Sequence, residues 1–328
     1  MSFQKQVQKH LEEYKTQRLG VTEKGTYNGK EYGHILPEKL RQLNIFEQYR
    51  KEFFEYQAKN DIGLHQYFHH LNSSQALCFN FFYPFIHHQN LEFLASLFEL
   101  GDAKPVAAAF EKVIDWDEYT NFDFYLEFED KRVFFEIKYM EIGFGTASPD
   151  DEHRKKLKDT YLARLTGKVN PEYLREELFF KNYQILRNIS YLDESTDDRL
   201  VFIYPADNSG LIEELLKMKQ HILAESKIKH RIMAFAWEDI LNKAFSMLNK
   251  GHGFSEIFVL LQAFHEKYFS YQRKEDVGMN REPINFRDPE QREAYLRKFK
   301  RRGAENLRQE LKKLYLAGII DENGRTVR

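Results

Sequence analysis

The chain reads as an α/β protein, on three observations. The stretch 121–141, NFDFYLEFEDKRVFFEIKYME, alternates apolar and polar residues on both sides of a polar link, the pattern of a half-buried β-hairpin. Leu200-Val201-Phe202-Ile203-Tyr204 is continuously apolar, as expected of a strand buried on both faces. Helix-length segments with caps and apolar stripes lie around these strands, and such alternation builds layered α/β domains.

The elements follow in order. Residues 1–60 are polar and helix-leaning, with a loop over 20–33 punctuated by Gly25, Asn28-Gly29 and Gly33, then a helix over 38–58. Asn72 is placed to cap the next helix, with Gln75 in the capping-box position, and Pro84 to end it. A further helix over 90–100 stops at Gly101. After the hairpin comes a polar connection, 143–169, of a length usually tied to function, with helical potential around 155–165. Asn170, Pro171 and Glu172 open a helix whose core stripe is Leu174, Leu178, Ile185 and Ile189. Lys181, Gln184 and Asn188 share another face of it, with Arg187 nearby. Pro205 ends the apolar strand; a helix over 210–224, a strand over 231–237 and helices over 239–272 follow. A Pro-containing linker, 278–290, leads to a basic helix, 291–316, interrupted near Gly303, and a short tail. The predicted division is a helical N-terminal extension (1–60), a core (61–275) and a basic helical C-terminal segment (276–328).

The hairpin carries the chemistry. Phe122, Phe124, Leu126 and Phe128 fall on one face of its first strand, and Asp123, Tyr125 and Glu127 on the other. On the second strand Val133, Phe135 and Ile137 oppose Phe134, Glu136 and Lys138. The apolar faces must coincide, which leaves two registers: Phe128 opposite Val133, or Phe128 opposite Lys131 with Asp123 opposite Glu136. Either puts Asp123, Glu136 and Lys138 within reach on one sheet face. Two carboxylates suit magnesium, a hard ion completed by water and substrate phosphate. A lysine beside them orients the attacking water or neutralises developing charge. Glu-x-Lys recurs elsewhere, as at Glu13-Tyr14-Lys15 and Glu310-Leu311-Lys312, but not in an apolar strand paired with an acid-bearing one. The same residues on a solvated face would form an ordinary ion-pair array.

Asp123, followed after the hairpin by Glu136-Ile137-Lys138, resembles the D…ExK signature of the PD-(D/E)XK nucleases, with Phe122 standing where that signature has proline. Leu71-Asn72-Ser73-Ser74-Gln75-Ala76, Thr120-Asn121-Phe122-Asp123 and Gly143-Phe144-Gly145 are similar to a group of bacterial restriction-endonuclease-like proteins, over roughly residues 60–240. The resemblance implies a restriction-endonuclease-like mixed sheet flanked by helices, with three antiparallel strands after a helix, then a helix and a further strand. It implies a Mg2+-dependent DNA endonuclease in which Mn2+ substitutes, with Asp123, Glu136 and the Ile137 carbonyl as metal ligands and Lys138 as catalytic lysine. It also implies a helix-borne Gln at the site, Gln184, and a further metal-side acid before the hairpin, with Glu99, Glu92 and Glu111 as candidates. Candidate nucleic-acid contacts are Ser73, Ser74, Gln75, Arg154, Lys155, Lys156, Lys181 and Arg187. A homodimer or a partner protein would fit an enzyme that cuts both strands.

Composition narrows the setting. The net charge of −2 excludes a protein that coats nucleic acid indiscriminately, so DNA contacts must come from local patches. Arg154-Lys155-Lys156-Leu157-Lys158 is one, and 292–313, with nine Lys/Arg against three Glu, is another. The single cysteine, Cys78, lies in an apolar run and reads as a buried thiol. No stretch reaches transmembrane length, so a cytoplasmic setting without membrane contact is expected. His65 and His69, spaced i, i+4, would chelate zinc only on a helix and with further ligands. Two other readings stand beside the nuclease: a catalytically silent nucleic-acid-binding or partner-docking module of the same fold, and a repair or mobile-element nuclease.

Overall fold

The structure, a computed structural model, describes residues 2–250 and 255–272, together with 312, 315–318 and 321. Helix α1 (Phe3–Leu19) is capped by the Ser2 side chain and ends at Gly20 in the left-handed conformation. The segment predicted as a loop holds a hairpin, β1 (Gly25–Tyr27) and β2 (Lys30–Tyr32). Asn28 and Gly29 both have positive φ, 49° and 73°, as a two-residue hairpin turn requires. The helix predicted over 38–58 is only partly α: two 3₁₀ segments, Glu38–Asn44 and Glu47–Tyr49, precede α2 (Arg50–Lys59). Tertiary polar contacts hold the intervening backbone open, since Asn44 donates to the Phe68 and His70 carbonyls and Asn80 accepts from the Phe46 amide.

Helix α3 (Ser74–His87) is capped by Ser73 rather than Asn72, its Oγ accepting from Ala76 N–H at 3.2 Å. It runs through Pro84 instead of ending there, because Phe81, Phe82 and Phe85 are all fully buried and packing outweighs the lost backbone bond. Helix α4 (Leu91–Leu97) follows. The sheet then begins with β3 (Ala107–Asp115), β4 (Thr120–Glu127) and β5 (Arg132–Ile137), the three antiparallel strands.

Beyond β5 the connection 151–165 is helical throughout: α5 (Asp151–Lys156), a π-helical stretch and α6 (Leu162–Leu165). The helix predicted from Asn170 is three pieces. A 3₁₀ segment (Pro171–Leu174) gives way at extended Arg175 to α7 (Glu176–Lys181), and Asn182 interrupts the chain before α8 (Tyr183–Ile189). Asn170 makes no cap; its amide donates to the His221 carbonyl. Then come β6 (Arg199–Tyr204), α9 (Ser209–Lys217), β7 (Ile232–Ala236), α10 (Trp237–Lys250) and α11 (Ser255–Phe269). The predicted linker 278–290, basic helix 291–316 and tail lie outside the described residues, apart from the few named above.

The sheet order is β3-β4-β5-β6-β7, with β5, β6 and β7 parallel. One face packs on α3, α4 and α10, with α11 and α1 completing the same core, where Phe82 stacks on Phe124 with ring centroids 4.0 Å apart. The other packs on the helices 151–222. Val7, Leu11 and Phe53 of the N-terminal segment sit fully buried in the first of these cores.

One alternation is broken. Phe122 was expected beside Phe124, yet it stacks on Phe134 across the sheet's other face, at 4.8 Å. Strand β4 pairs with β5 only over 124–127, so its first residues are free to twist away. The neighbouring Glu111 on β3 has φ +49°, and such local irregularity increases strand twist.

Candidate active site

The pairing of β4 with β5 runs Phe124↔Phe135, Tyr125↔Phe134, Leu126↔Val133 and Glu127↔Arg132. This is the second of the two registers, which sets Asp123 opposite Glu136 where the strands part. The Asp123 carboxylate accepts the Ile137 N–H at 2.6 Å, so the acid of one strand caps the end of the other. The Ile137 side chain points into the first core. The Lys138 N–H donates to Ile203 of β6 at 2.9 Å, and its carbonyl accepts from Trp237, which fixes the residue just past the strand.

Glu136 and Lys138 are nearly buried, at 3% and 8% exposed. Lys138 Nζ lies 2.9 Å from Glu136 Oε1 and donates to Gln184 Oε1 at 3.0 Å. Gln184 returns a bond from Nε2 to Glu136 Oε1 at 2.6 Å, closing a triangle of the three side chains. The second oxygen of Glu136 accepts from Asn188 at 2.9 Å. Burial opposes the charge on Lys138, but Glu136, Glu141 and Asp123 outweigh it and hold its pKa above the ordinary value. Burial, then the Glu136 and Glu111 carboxylates, push the Asp123 carboxyl well above the usual range, against the pull of Lys138 and the Ile137 amide.

Of the three candidate further acids, only Glu111 reaches this neighbourhood, and it comes from a strand rather than a helix. Its carboxylate accepts from Gln75 at 2.7 Å and from Asn121 at 2.5 Å. Burial, with the Glu136 charge adding to it, raises its pKa to about 7 despite those two bonds. His65 Nε2 lies 3.6 Å away, and burial disfavours the charged imidazole, which weakens this contact as an ion pair. Glu99 is elsewhere: it pairs with Lys243 at 2.7 Å, and its carbonyl accepts from Arg199 at the far end of the sheet. Glu92 pairs with Lys104.

The candidate nucleic-acid contacts scatter. Ser73 is spent on the helix cap, and Gln75, 2% exposed, is a structural clamp that also binds the Gly63 carbonyl and the His65 amide. Arg154 pairs with Glu176 and Asp151, and Lys156 with Glu118 and Glu152, so half of the predicted 154–158 basic patch is already neutralised; Lys181 pairs with Glu177. Lys155 and Ser74 enter none of these pairs. Arg187 lies against Asn188. The segment 63–70 is not helical, so His65 and His69 do not share a face, and His69 is buried. Cys78 is buried as expected, its thiol 3.6 Å from the Asp123 carbonyl.

Asn188 and Asn121 were given no role from the sequence. The signal for Asn188 was its place one turn after Gln184. Asn121 lies in the Thr120-Asn121-Phe122-Asp123 segment that carries the resemblance, but nothing there pointed to its bond with Glu111.

Hard carboxylate oxygens at Asp123 and Glu136 are the donor type and number magnesium takes when water and phosphate complete its shell. Among the described residues no three His, Cys, Asp or Glu side chains gather into a ready-made metal cage.

A five-stranded mixed sheet flanked by helices, with acids and a lysine where its antiparallel strands part, defines a restriction-endonuclease-like protein. The chain belongs to the family described as Restriction Endonuclease associating with ARP (REase-ARP), whose model matches residues 8–269. No curated protein and no solved structure matches it significantly. No helix among the described residues is long and apolar enough to cross a membrane.

Proposed function

We propose that this protein is a metal-dependent DNA endonuclease of restriction type that hydrolyses phosphodiester bonds and acts with the ARP protein for which its family is named. The observation that supports it most is the register that sets Asp123 opposite Glu136 with Lys138 bonded to the latter.

In this reading Asp123, Glu136 and the Ile137 carbonyl hold Mg2+, or Mn2+ in its place. When bound, such an ion polarises the phosphate and lowers the pKa of a water. Lys138, kept charged by its acidic neighbours, orients the nucleophile and neutralises charge developing on the phosphate oxygens. Gln184 ties Lys138 to Glu136, so the lysine is aimed before substrate arrives. Glu111 supplies a further negative group on the metal side, and Lys155, Ser74 and Arg187 are the contacts left to meet the DNA backbone.

The test is cleavage of supercoiled plasmid with Mg2+ or Mn2+, with and without the ARP partner. Asp123→Ala and Lys138→Ala should each lower the rate by at least about 10²-fold, the scale of losing one transition-state stabiliser. Full activity in either variant would overturn the assignment of that residue, and activity indifferent to chelation would overturn the metal.

A further inference from the structure

The Glu136 carboxylate is gripped at both oxygens from one helix. Gln184 Nε2 donates to Oε1 at 2.6 Å and Asn188 Nδ2 to Oε2 at 2.9 Å. The two amides are four residues apart on α8 and therefore on the same face, one turn above the other. Asn188 is fully buried, although an asparagine gains nothing from burial unless its polar atoms are bonded.

The orientation of the Asn188 amide follows from its other neighbour. Arg187 Nε and Nη2 both lie 3.3 Å from Asn188 Oδ1. A guanidinium offers only donors, so the amide oxygen must face Arg187 and the NH2 must face Glu136. The helix itself is aimed by the break before it. Asn182 donates to the Leu178 carbonyl and accepts from Lys217, stopping α7 and letting α8 start on a new rotation. A single uninterrupted helix over 176–189 would carry positions 184 and 188 on a different heading.

We propose that Asn188 is a positioning residue for Glu136: with Gln184 it forms a two-amide clamp that fixes the carboxylate plane, and Arg187 sets the direction of the clamp. Glu has three rotatable side-chain bonds, and a metal ligand free to turn binds poorly. Groups that orient a ligand in this way typically carry 10–100-fold in metal affinity. The inference rests on reading Glu136 as a metal-site carboxylate.

The experiment is calorimetric titration of the full chain with Mn2+ alone, beside thermal unfolding. Asn188→Leu keeps the volume and removes the donor; it should weaken Mn2+ binding about 10–100-fold while unfolding stays cooperative. Ser190→Ala, at a buried polar position on the same turn but bonded to the Arg187 carbonyl, should leave Mn2+ affinity unchanged. Should Asn188→Leu fail to fold, Arg187→Met, at a partly exposed position, is expected to weaken Mn2+ binding in the same direction. Wild-type affinity in the folded Asn188 and Arg187 variants would overturn the clamp. If the wild type itself binds no Mn2+, the metal reading of the site fails instead. The clamp is then judged in metal-free protein by NMR, where Glu136→Ala should shift the side-chain amide signals of both Gln184 and Asn188; unmoved signals would overturn it.

Discussion

Glu111 is the residue whose setting is least expected from its type. It is a carboxylate in the left-handed region of the backbone, in mid-strand, almost out of water, with two amide donors turned toward it. Such strain persists where surrounding contacts over-determine it and tends to mark functional sites. Its pKa near 7 makes a sign-definite prediction. A carboxyl raised in the folded state stabilises the fold fully below its unfolded pKa and loses that contribution as pH rises through the folded value. In metal-free protein, wild type should therefore lose about 3 kcal/mol relative to Glu111→Gln between pH 4.5 and pH 8. Urea unfolding of both forms across that range checks it, and parallel stability curves would show that Glu111 titrates normally. The residue was legible only as one acid among three; what singled it out was a backbone irregularity that no periodicity announces.

At the scale of elements, the loop after β5 is shaped by what packs over it. Asn208 donates to the Tyr139 and Glu141 carbonyls, and Glu214 accepts from the Phe144 amide. Gly145 then turns with φ +101°, its carbonyl receiving the Gln184 N–H, and a Cβ there would lie 3.1 Å from Gln184 Oε1. Gly145→Ala should cost about 1–3 kcal/mol in thermal or urea unfolding from backbone strain alone. It should also cut cleavage by more than that stability loss explains, because it pushes on the side chain that joins Lys138 to Glu136. Normal turnover in a folded Gly145→Ala protein would argue that Gln184 tolerates displacement. The strands β5, β6 and β7 and the helices around them were readable from pattern, since burial imposes period and composition directly. The breaks at Arg175 and Asn182 were not, because cap residues and a continuous apolar stripe look the same whether the helix is whole or in pieces.

At the scale of the molecule, the N-terminal segment belongs to the core that carries the site. Val7 and Leu11 of α1 and Phe53 of α2 are fully buried in the cluster that includes Phe82, Phe124 and Ile137. Lys15, also buried, donates to the Glu23 and Ile35 carbonyls and ties the small β1–β2 hairpin to α1. Deleting residues 1–60 should leave a protein without a cooperative thermal transition, since it uncovers a large apolar face whose residues each contribute about 1.5–3 kcal/mol by burial. A sharp transition in the truncated chain, followed by circular dichroism, would instead make residues 61 onward a self-sufficient unit.

The sequence by itself determined the class of fold, the identity of the strands that carry Asp123, Glu136 and Lys138, and the face on which those side chains meet. Local alternation and burial are written residue by residue, and from Phe124 onward a one-residue slip would turn the strand inside out. Only the tertiary structure decided which of two hairpin registers holds, which of three acids lies near Asp123 and Glu136, and how Gln184 and Asn188 divide the two oxygens of Glu136. Those outcomes depend on the angle at which distant segments pack and on hydrogen bonds between residues about 50 positions apart, and a one-dimensional pattern carries neither.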